Sequence, residues 1–85
     1  MTQTPKEFAE KLNKCLDQMD APASLRERSL VLKKMFKISE EQAIKLVDGK
    51  QVPDKALIEK MAEEFEEDVK WLSGEKSQDT NKLHR

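Results

Sequence analysis

Side chains that usually build catalytic and metal sites are scarce in this chain. It contains one cysteine, Cys15, and one histidine, His84, among 85 residues. A lone cysteine forms no intramolecular disulfide and no multi-cysteine metal site, and a lone histidine has no partner to orient its imidazole ring. We therefore expect Cys15 to be a packing residue and His84 to be solvated. The sequence predicts a protein that is not an enzyme and that uses no cofactor or metal.

Long apolar stretches are also missing. No hydrophobic run approaches the ~20 residues that a membrane-spanning helix needs. The first seven residues lack the hydrophobic stretch of a signal peptide. Together with the unpaired cysteine, which suits a reducing compartment, these features favour a cytoplasmic location. We expect no membrane partner and no small-molecule ligand.

Glycine and proline occur only two and three times, and aromatic residues make up 5% of the chain. Charged residues reach 39% and hydrophobic residues 36%. This composition is typical of a helical protein rather than a β-sandwich or a disordered chain. The length suffices for one domain with a small core. We expect an all-α fold in which residues 1–74 form the domain and residues 75–85 form a polar, flexible C-terminal tail.

The net charge is only −1, but the charges are unevenly distributed. Residues 1–38 hold eight basic and five acidic side chains, residues 39–75 hold five and eleven, and residues 76–85 hold three and one. So small a net charge gives no bulk attraction to nucleic acid or membrane, and any such binding requires a local patch. We interpret the acidic residues between positions 59 and 68 as a solvated helix face rather than a cation site.

Capping signals predict five helices. A threonine, a proline and a glutamate mark the start of the first helix, and a serine followed three residues later by a glutamine marks the start of the third. The second helix should end at Phe36, so that only residues 37–39 separate it from the third. Two helices joined so tightly must cross at a steep angle, which is the geometry of a helix-turn-helix. The expected starts are Pro5, about Leu25, about Glu40, about Asp54 and just after Asp68.

Apolar residues recur at helical spacing in each of these segments, so each helix should bury one face. Gly49 is expected to take the left-handed conformation that ends the third helix. The expected core consists of Phe8, Leu12, Leu16 and Met19, then Leu25, Leu32 and Phe36, then Ala43, Leu46 and Val47, and finally Leu57, Ile58, Met61, Ala62 and Phe65.

From Phe8 to Gly74 the sequence resembles the Cro/CI-type, lambda repressor-like helix-turn-helix regulators of phages and bacteria. It is most similar to small prophage regulators that open with a Phe-Ala-Glu-Lys-Leu-Asn-like helix and close with a Val-x-Trp-Leu-x-Gly-like segment. Here these are residues 8–13 and 69–74. Seven further positions match the buried and turn residues of the family motif: Leu32, Phe36, Ile38, Ser39, Ala43, Leu46 and Gly49.

The resemblance implies a five-helix DNA-binding domain, with helices 2 and 3 as the helix-turn-helix, that regulates transcription as a repressor. It implies a homodimer on double-stranded operator DNA, with the third helix, about residues 40–48, in the major groove. The residues it places facing bases are Glu40, Glu41 and Lys45. Those it places at the DNA backbone are Arg26, Arg28, Ser29, Ser39, Lys50 and Gln51. A dimer interface would include Val69, Trp71 and Leu72, although completion of a thin core explains the tryptophan equally well.

Four residues depart from the family pattern. Lys33 replaces a small packing residue, so its ammonium group must reach outward along the aliphatic stem. Lys37 replaces a turn glycine, and a left-handed conformation there costs roughly 1 kcal/mol. Glu40 and Glu41 lead the third helix, where phosphate repulsion opposes them, although acidic residues also stabilise a first turn. The alternative function is therefore a helix-turn-helix fold used as a protein–protein interaction module, with the third or the acidic fourth helix binding a basic partner.

Overall fold

The computed structural model describes residues 3–74. Within that range the fold is all-α and contains no strand, as the composition predicts. The predicted C-terminal tail and His84 lie outside the described residues. None of the described helices has the length and apolar character needed to cross a bilayer. The helices are α1 (Pro5–Gln18), α2 (Leu25–Phe36), α3 (Glu40–Val47), α4 (Lys55–Phe65) and α5 (Val69–Ser73).

Each helix begins after a residue whose side chain caps its first turn. At the start of α1 the Thr4 hydroxyl accepts a hydrogen bond from the Glu7 amide at 3.1 Å, and the Thr4 amide donates to the Glu7 carboxylate at 3.0 Å. These bonds satisfy amide groups that have no partner within a helix. The predicted helix starts are confirmed because capping depends on local sequence. The remaining caps are Ser24, Ser39, Asp54 and Asp68.

The core lies between the first four helices, and α5 closes one side of it. The buried side of α2 packs extensively against α3, while α1 contacts both α3 and α5. Where α2 and α4 end, the rings of Phe36 and Phe65 meet edge to face with their centroids 5.8 Å apart. The fully enclosed side chains include Phe8, Leu12, Leu16, Leu32, Leu46, Met61 and Leu72.

Two of the expected core residues, Met19 and Leu25, are exposed, so the expectation for them is wrong. Met19 is the C-cap of α1, and its backbone has already left the helical conformation that would carry it onto the inner face. Leu25 is the first residue of α2, where the inner face begins one turn later with Ser29. Periodicity identifies the side of a helix but not the turn at which a neighbouring helix starts to cover it.

Left-handed backbone conformations connect the helices. Lys37, with φ of 56°, ends α2 and donates its amide to the Lys33 carbonyl at 2.9 Å. Gly49, with φ of 77°, ends α3 as expected. A Cβ atom on Gly49 would lie 3.4 Å from the Cα of Lys6, which is an ordinary contact, so the positive φ and not the available space favours glycine here. Lys33 is exposed, in agreement with the expectation that its ammonium group reaches outward.

Candidate nucleic-acid interface

The outer face of α3 is polar. Ala43 and Leu46 are fully buried on the inner face, whereas Glu41 and Lys45 project into solvent one turn apart. Their charged groups form an ion pair with 3.5 Å between Glu41 Oε2 and Lys45 Nζ. Glu40 is only half-exposed. Two of the three side chains predicted to face bases are therefore freely accessible, and the third is partly enclosed.

The ion pair between Glu41 and Lys45 is weak. The side chains are 80% and 49% exposed, and exposed pairs at this helical spacing contribute about 0.3–0.5 kcal/mol. A competing donor or acceptor of similar strength can therefore replace either partner. The outer face of α3 offers one carboxylate acceptor and one ammonium donor to a ligand.

The amino end of α3 lies next to this pair. The Ser39 hydroxyl accepts a hydrogen bond from the Gln42 amide at 3.1 Å and keeps its own hydrogen for donation. Glu40 and Glu41 stand in the first turn, where the helix dipole favours acidic side chains. Ser39 is exposed, so its predicted position at the surface agrees with the structure.

A row of cations lies on the exposed side of α2, the helix that packs against α3. Arg26, Lys33, Lys34 and Lys37 surround Leu30, and this set is called the basic face below. Residues three, four and seven positions apart on a helix share one side, which explains the grouping. Only Glu27 adds an acidic group beside it. None of the four cations forms an ion pair with another residue in positions 3–74.

Arg28 does not belong to that row, and its expected place at the surface is wrong. The residue is 7% exposed. Its Nε donates to the Pro22 carbonyl at 2.7 Å, and one terminal nitrogen donates to the carbonyl and side-chain oxygens of Asn13 at 3.2 and 2.8 Å. The other terminal nitrogen pairs with Asp17. Arg28 therefore links α2 to α1 and to the loop between them, and it has no donor directed at a partner molecule.

Ser29 is the second residue that the structure removes from the expected DNA-backbone set. It is fully buried, and its hydroxyl donates to the Arg26 carbonyl at 2.7 Å. After α3, Lys50 is exposed and Gln51 is half-buried. Four of the six residues expected at the DNA backbone therefore remain at the surface: Arg26, Ser39, Lys50 and Gln51.

The residues expected at a dimer interface differ in their environments. Leu72 is fully buried, Trp71 is half-buried and Val69 is exposed. Leu72 thus completes the core, so its expected place at an interface is wrong. Its position is enclosed because α5 lies against α1 and α4. Only Val69 and the outer part of Trp71 are available to a second subunit.

A polar network that the sequence did not indicate holds α5 in place. The Lys11 ammonium lies 5.4 Å from the centre of the Trp71 ring and donates to the Trp71 carbonyl at 2.6 Å and to the Gln3 side chain at 3.0 Å. Gln3 in turn donates to the Leu72 carbonyl at 2.7 Å. Burial lowers the pKa of Lys11, and the nearby charge of Glu7 partly opposes this shift. The hydrogen bonds to α5 join residues that are 60 and 69 positions apart in sequence, so no local pattern identifies them.

A shallow concavity of about 300 Å³ lies where the connection between α2 and α3 meets α4. Four apolar and three polar residues line it. Sequence reasoning missed it because its residues come from separate segments of the chain. The lining residues are Phe36, Ile38, Gln42, Asp54, Ala56, Leu57 and Lys60.

Cys15 is a buried packing residue, as expected. Burial raises the pKa of its thiol to about 11, with a further increase from the charge of Glu67 and an opposing effect of Lys14. The thiol is therefore protonated at neutral pH and is a poor nucleophile. Residues 3–74 contain no group of three histidine, cysteine or acidic side chains placed to hold a metal ion.

Comparisons of the chain with protein-family models, curated proteins and solved structures find no match. The resemblance to Cro/CI-type regulators rests on the residue pattern alone. Function must be inferred from the exposed groups of α2 and α3.

Proposed function

We propose that the protein is a sequence-specific DNA-binding transcriptional regulator of the lambda repressor-like type, in which α2 and α3 form the helix-turn-helix. The observation that carries this proposal is the basic face of α2, whose four cations have no ion-pair partner in the described part of the chain. The helix α2 packs against α3, whose outer face is polar and accessible. The protein acts in the cytoplasm as a repressor. It binds double-stranded operator DNA rather than catalysing a reaction, and it needs no cofactor.

In this proposal α3 enters the major groove and its outer residues contact base edges. The Lys45 ammonium donates to the acceptors of a guanine, and the Glu41 carboxylate accepts from the amino group of a cytosine. The weak ion pair between the two side chains opens as these contacts form. Glu40 is only half-exposed and contributes less to base contacts.

Phosphate contacts come from the cations around α3. The basic face and Lys50 provide five exposed cations, while Arg28 is engaged inside the domain. Neutralising about five phosphates predicts that the logarithm of the binding constant falls with the logarithm of salt concentration with a slope of about −4 to −5 per monomer. The Ser39 hydroxyl and Gln51 add neutral hydrogen bonds at the edges of the contact.

The proposed regulator is a homodimer, because two copies read the two halves of an operator. With Leu72 enclosed, the contact between subunits would use Val69 and the outer part of Trp71. These two residues give a small interface, so stable pairing is expected on DNA rather than in dilute solution.

The decisive experiment selects fragments of the protein's own genome with the purified full chain and then titrates the selected duplex and an unrelated one. Lys45→Ala should reduce the preference for the selected duplex by about tenfold or more, because a bidentate base contact is worth about 1–3 kcal/mol. Lys55→Ala is the matched control, since Lys55 is an exposed lysine at the start of α4. Equal losses in both variants, or no preference for any fragment at modest ionic strength, would contradict the proposal.

The concavity beside α3 supports a second candidate, a protein–protein interaction module. Its four apolar lining residues and the acidic Asp54 beside them fit a basic amphipathic segment. Ala56→Arg separates the two functions, because Ala56 is exposed and lines the concavity on α4. The change should abolish binding of a basic amphipathic peptide and leave DNA selection unchanged. Peptide binding that survives the substitution would rule out this candidate.

A further inference from the structure

The molecule carries a second charged surface of opposite sign to the basic face. Five acidic residues stand within residues 63–68, where α4 ends and turns into α5. This set, Glu63, Glu64, Glu66, Glu67 and Asp68, together with the following Val69, is called the acidic corner below.

The acidic corner is unfavourable for the stability of α4. Acidic side chains at the carboxyl end of a helix oppose its dipole, and α4 has no basic residue in its last turn. Glu66 also adopts a left-handed conformation with φ of 58°, which costs a non-glycine residue about 1–2 kcal/mol. None of the four glutamates forms an ion pair with another residue in positions 3–74. Residues that lower the stability of their own helix are expected to have another role, such as binding a partner.

The basic face and the acidic corner are complementary in more than charge. Each carries one large exposed apolar side chain among its charges: Leu30, 42% exposed, in the basic face, and Val69, 38% exposed, in the acidic corner. The basic face has four cations and one flanking acid, while the acidic corner has five acids and two flanking cations, Lys60 and Lys70. Within residues 3–74, no ion pair joins a glutamate of the acidic corner to a cation of the basic face.

We propose that the basic face of one copy docks against the acidic corner of a second copy. Leu30 packs against Val69, and the lysines surrounding Leu30 pair with the glutamates of the neighbour. The contact joins two different surfaces, so a single contact is head-to-tail and leaves one basic face and one acidic corner unpaired. Further copies can bind to these surfaces, which gives rings or short chains.

This self-association is weak and depends on salt. Exposed ion pairs contribute about 0.2–1 kcal/mol each, and they are screened at physiological ionic strength. The complementary potentials mainly raise the rate of encounter and select the relative orientation. The association should therefore be detectable at high protein concentration in low salt and should disappear in high salt.

The proposed DNA contact and the proposed self-association use the same four cations. The competition described next therefore rests on the proposed DNA-binding function. A duplex bound to the basic face displaces the acidic corner of the neighbour, and by thermodynamic linkage self-association weakens DNA binding by the same factor.

Sedimentation velocity of the full chain without DNA tests the proposal, over a range of protein concentrations at low and high salt. The wild-type protein should form species larger than a monomer only at low salt. Two double charge reversals, Lys33→Glu with Lys34→Glu and Glu63→Lys with Glu64→Lys, should each weaken self-association by about tenfold or more, because attraction becomes repulsion. An equimolar mixture of the two variants should restore association, since each supplies the surface that the other lacks.

The matched control, Lys6→Glu with Lys55→Glu, reverses two exposed lysines outside both surfaces. It changes the net charge by the same amount as the reversal of Lys33 and Lys34. After allowance for that change, it should associate like the wild type. Circular dichroism verifies that every variant is folded. A wild-type chain that stays monomeric at millimolar concentration in low salt would overturn the proposal. So would a mixture of the two reversed variants that fails to associate. Because DNA is absent, either failure leaves the DNA-binding proposal untouched.

Discussion

Arg26 and Arg28 stand two positions apart on α2, and the structure gives them different tasks. Arg26 belongs to the basic face and is exposed. Arg28 is buried with four acceptors around its guanidinium group. The sequence does not distinguish these residues, because both stand in the first turns of a helix and both are arginines. What separates them is the presence of Asn13 and Asp17 on α1, and this contact forms only when α1 and α2 have packed together.

Replacing the two arginines should show this difference. We expect Arg28→Ala to lower the free energy of unfolding by about 2 kcal/mol, because it removes a buried side chain together with its hydrogen bonds to Asn13 and Pro22, while the exposed Asp17 carboxylate is rehydrated at little cost. Arg26→Ala should change that free energy by no more than about 0.5 kcal/mol, as is usual at an exposed position. Urea denaturation of the two variants measures both values. Similar losses of stability would contradict the assignment of Arg28 as the residue that links the helices.

Capping signals in the sequence predicted where the helices start. Most of the wrong predictions concern the burial or exposure of side chains, which depends on how the helices pack. The caps at Thr4 and Ser39 are complete within four residues, so the sequence was sufficient to locate α1 and α3. The exposure of Leu25 depends on where α1 covers α2, and the concavity combines residues of α2, α3 and α4. Of the candidate interface, the outward positions of Glu41 and Lys45 could be predicted from periodicity. The burial of Arg28, Ser29 and Leu72 could not, because it depends on contacts between helices.

In the described part of the chain, three residues other than glycine have positive φ after helices: Asp20, Lys37 and Glu66. The two that are helix C-caps, Lys37 and Glu66, should be sites of stabilisation. We expect Lys37→Gly and Glu66→Gly each to raise the free energy of unfolding by about 0.5–1 kcal/mol, because glycine adopts positive φ without steric cost. Glu66→Gly should give the larger gain, since it also removes an acidic group from the carboxyl end of α4.

The shift in the urea midpoint measures both gains. Glu59→Gly is the control, since it places glycine at an exposed position in the middle of α4 and should cost about 1 kcal/mol. If the two helix-end variants lost stability as the control does, the left-handed conformations would not persist in solution.

At the scale of the whole molecule, the polar network of Gln3, Lys11 and Trp71 joins the two ends of the described chain. Trp71 is the only tryptophan, so its fluorescence reports on this contact without interference. We expect Lys11→Met to remove two hydrogen bonds and loosen α5, which lowers the free energy of unfolding by about 1 kcal/mol. The emission should shift to longer wavelength and acrylamide should quench it more strongly.

Lys14→Met is the matched control for this change, because Lys14 is an exposed lysine on the same helix. It should leave both the emission wavelength and the quenching unchanged. An unchanged spectrum for Lys11→Met would mean that the ammonium group does not hold α5 in solution.

The contact between Gln3 and Leu72 also has a mechanical consequence. Since the described chain starts and finishes at one place, a stretching force applied to its two ends acts first on the hydrogen bonds from Gln3 and Lys11 to the carbonyl groups of α5. The force loads these hydrogen bonds one at a time rather than simultaneously, so they break one after another. We expect the last helix to peel away at low force while the other four still resist extension.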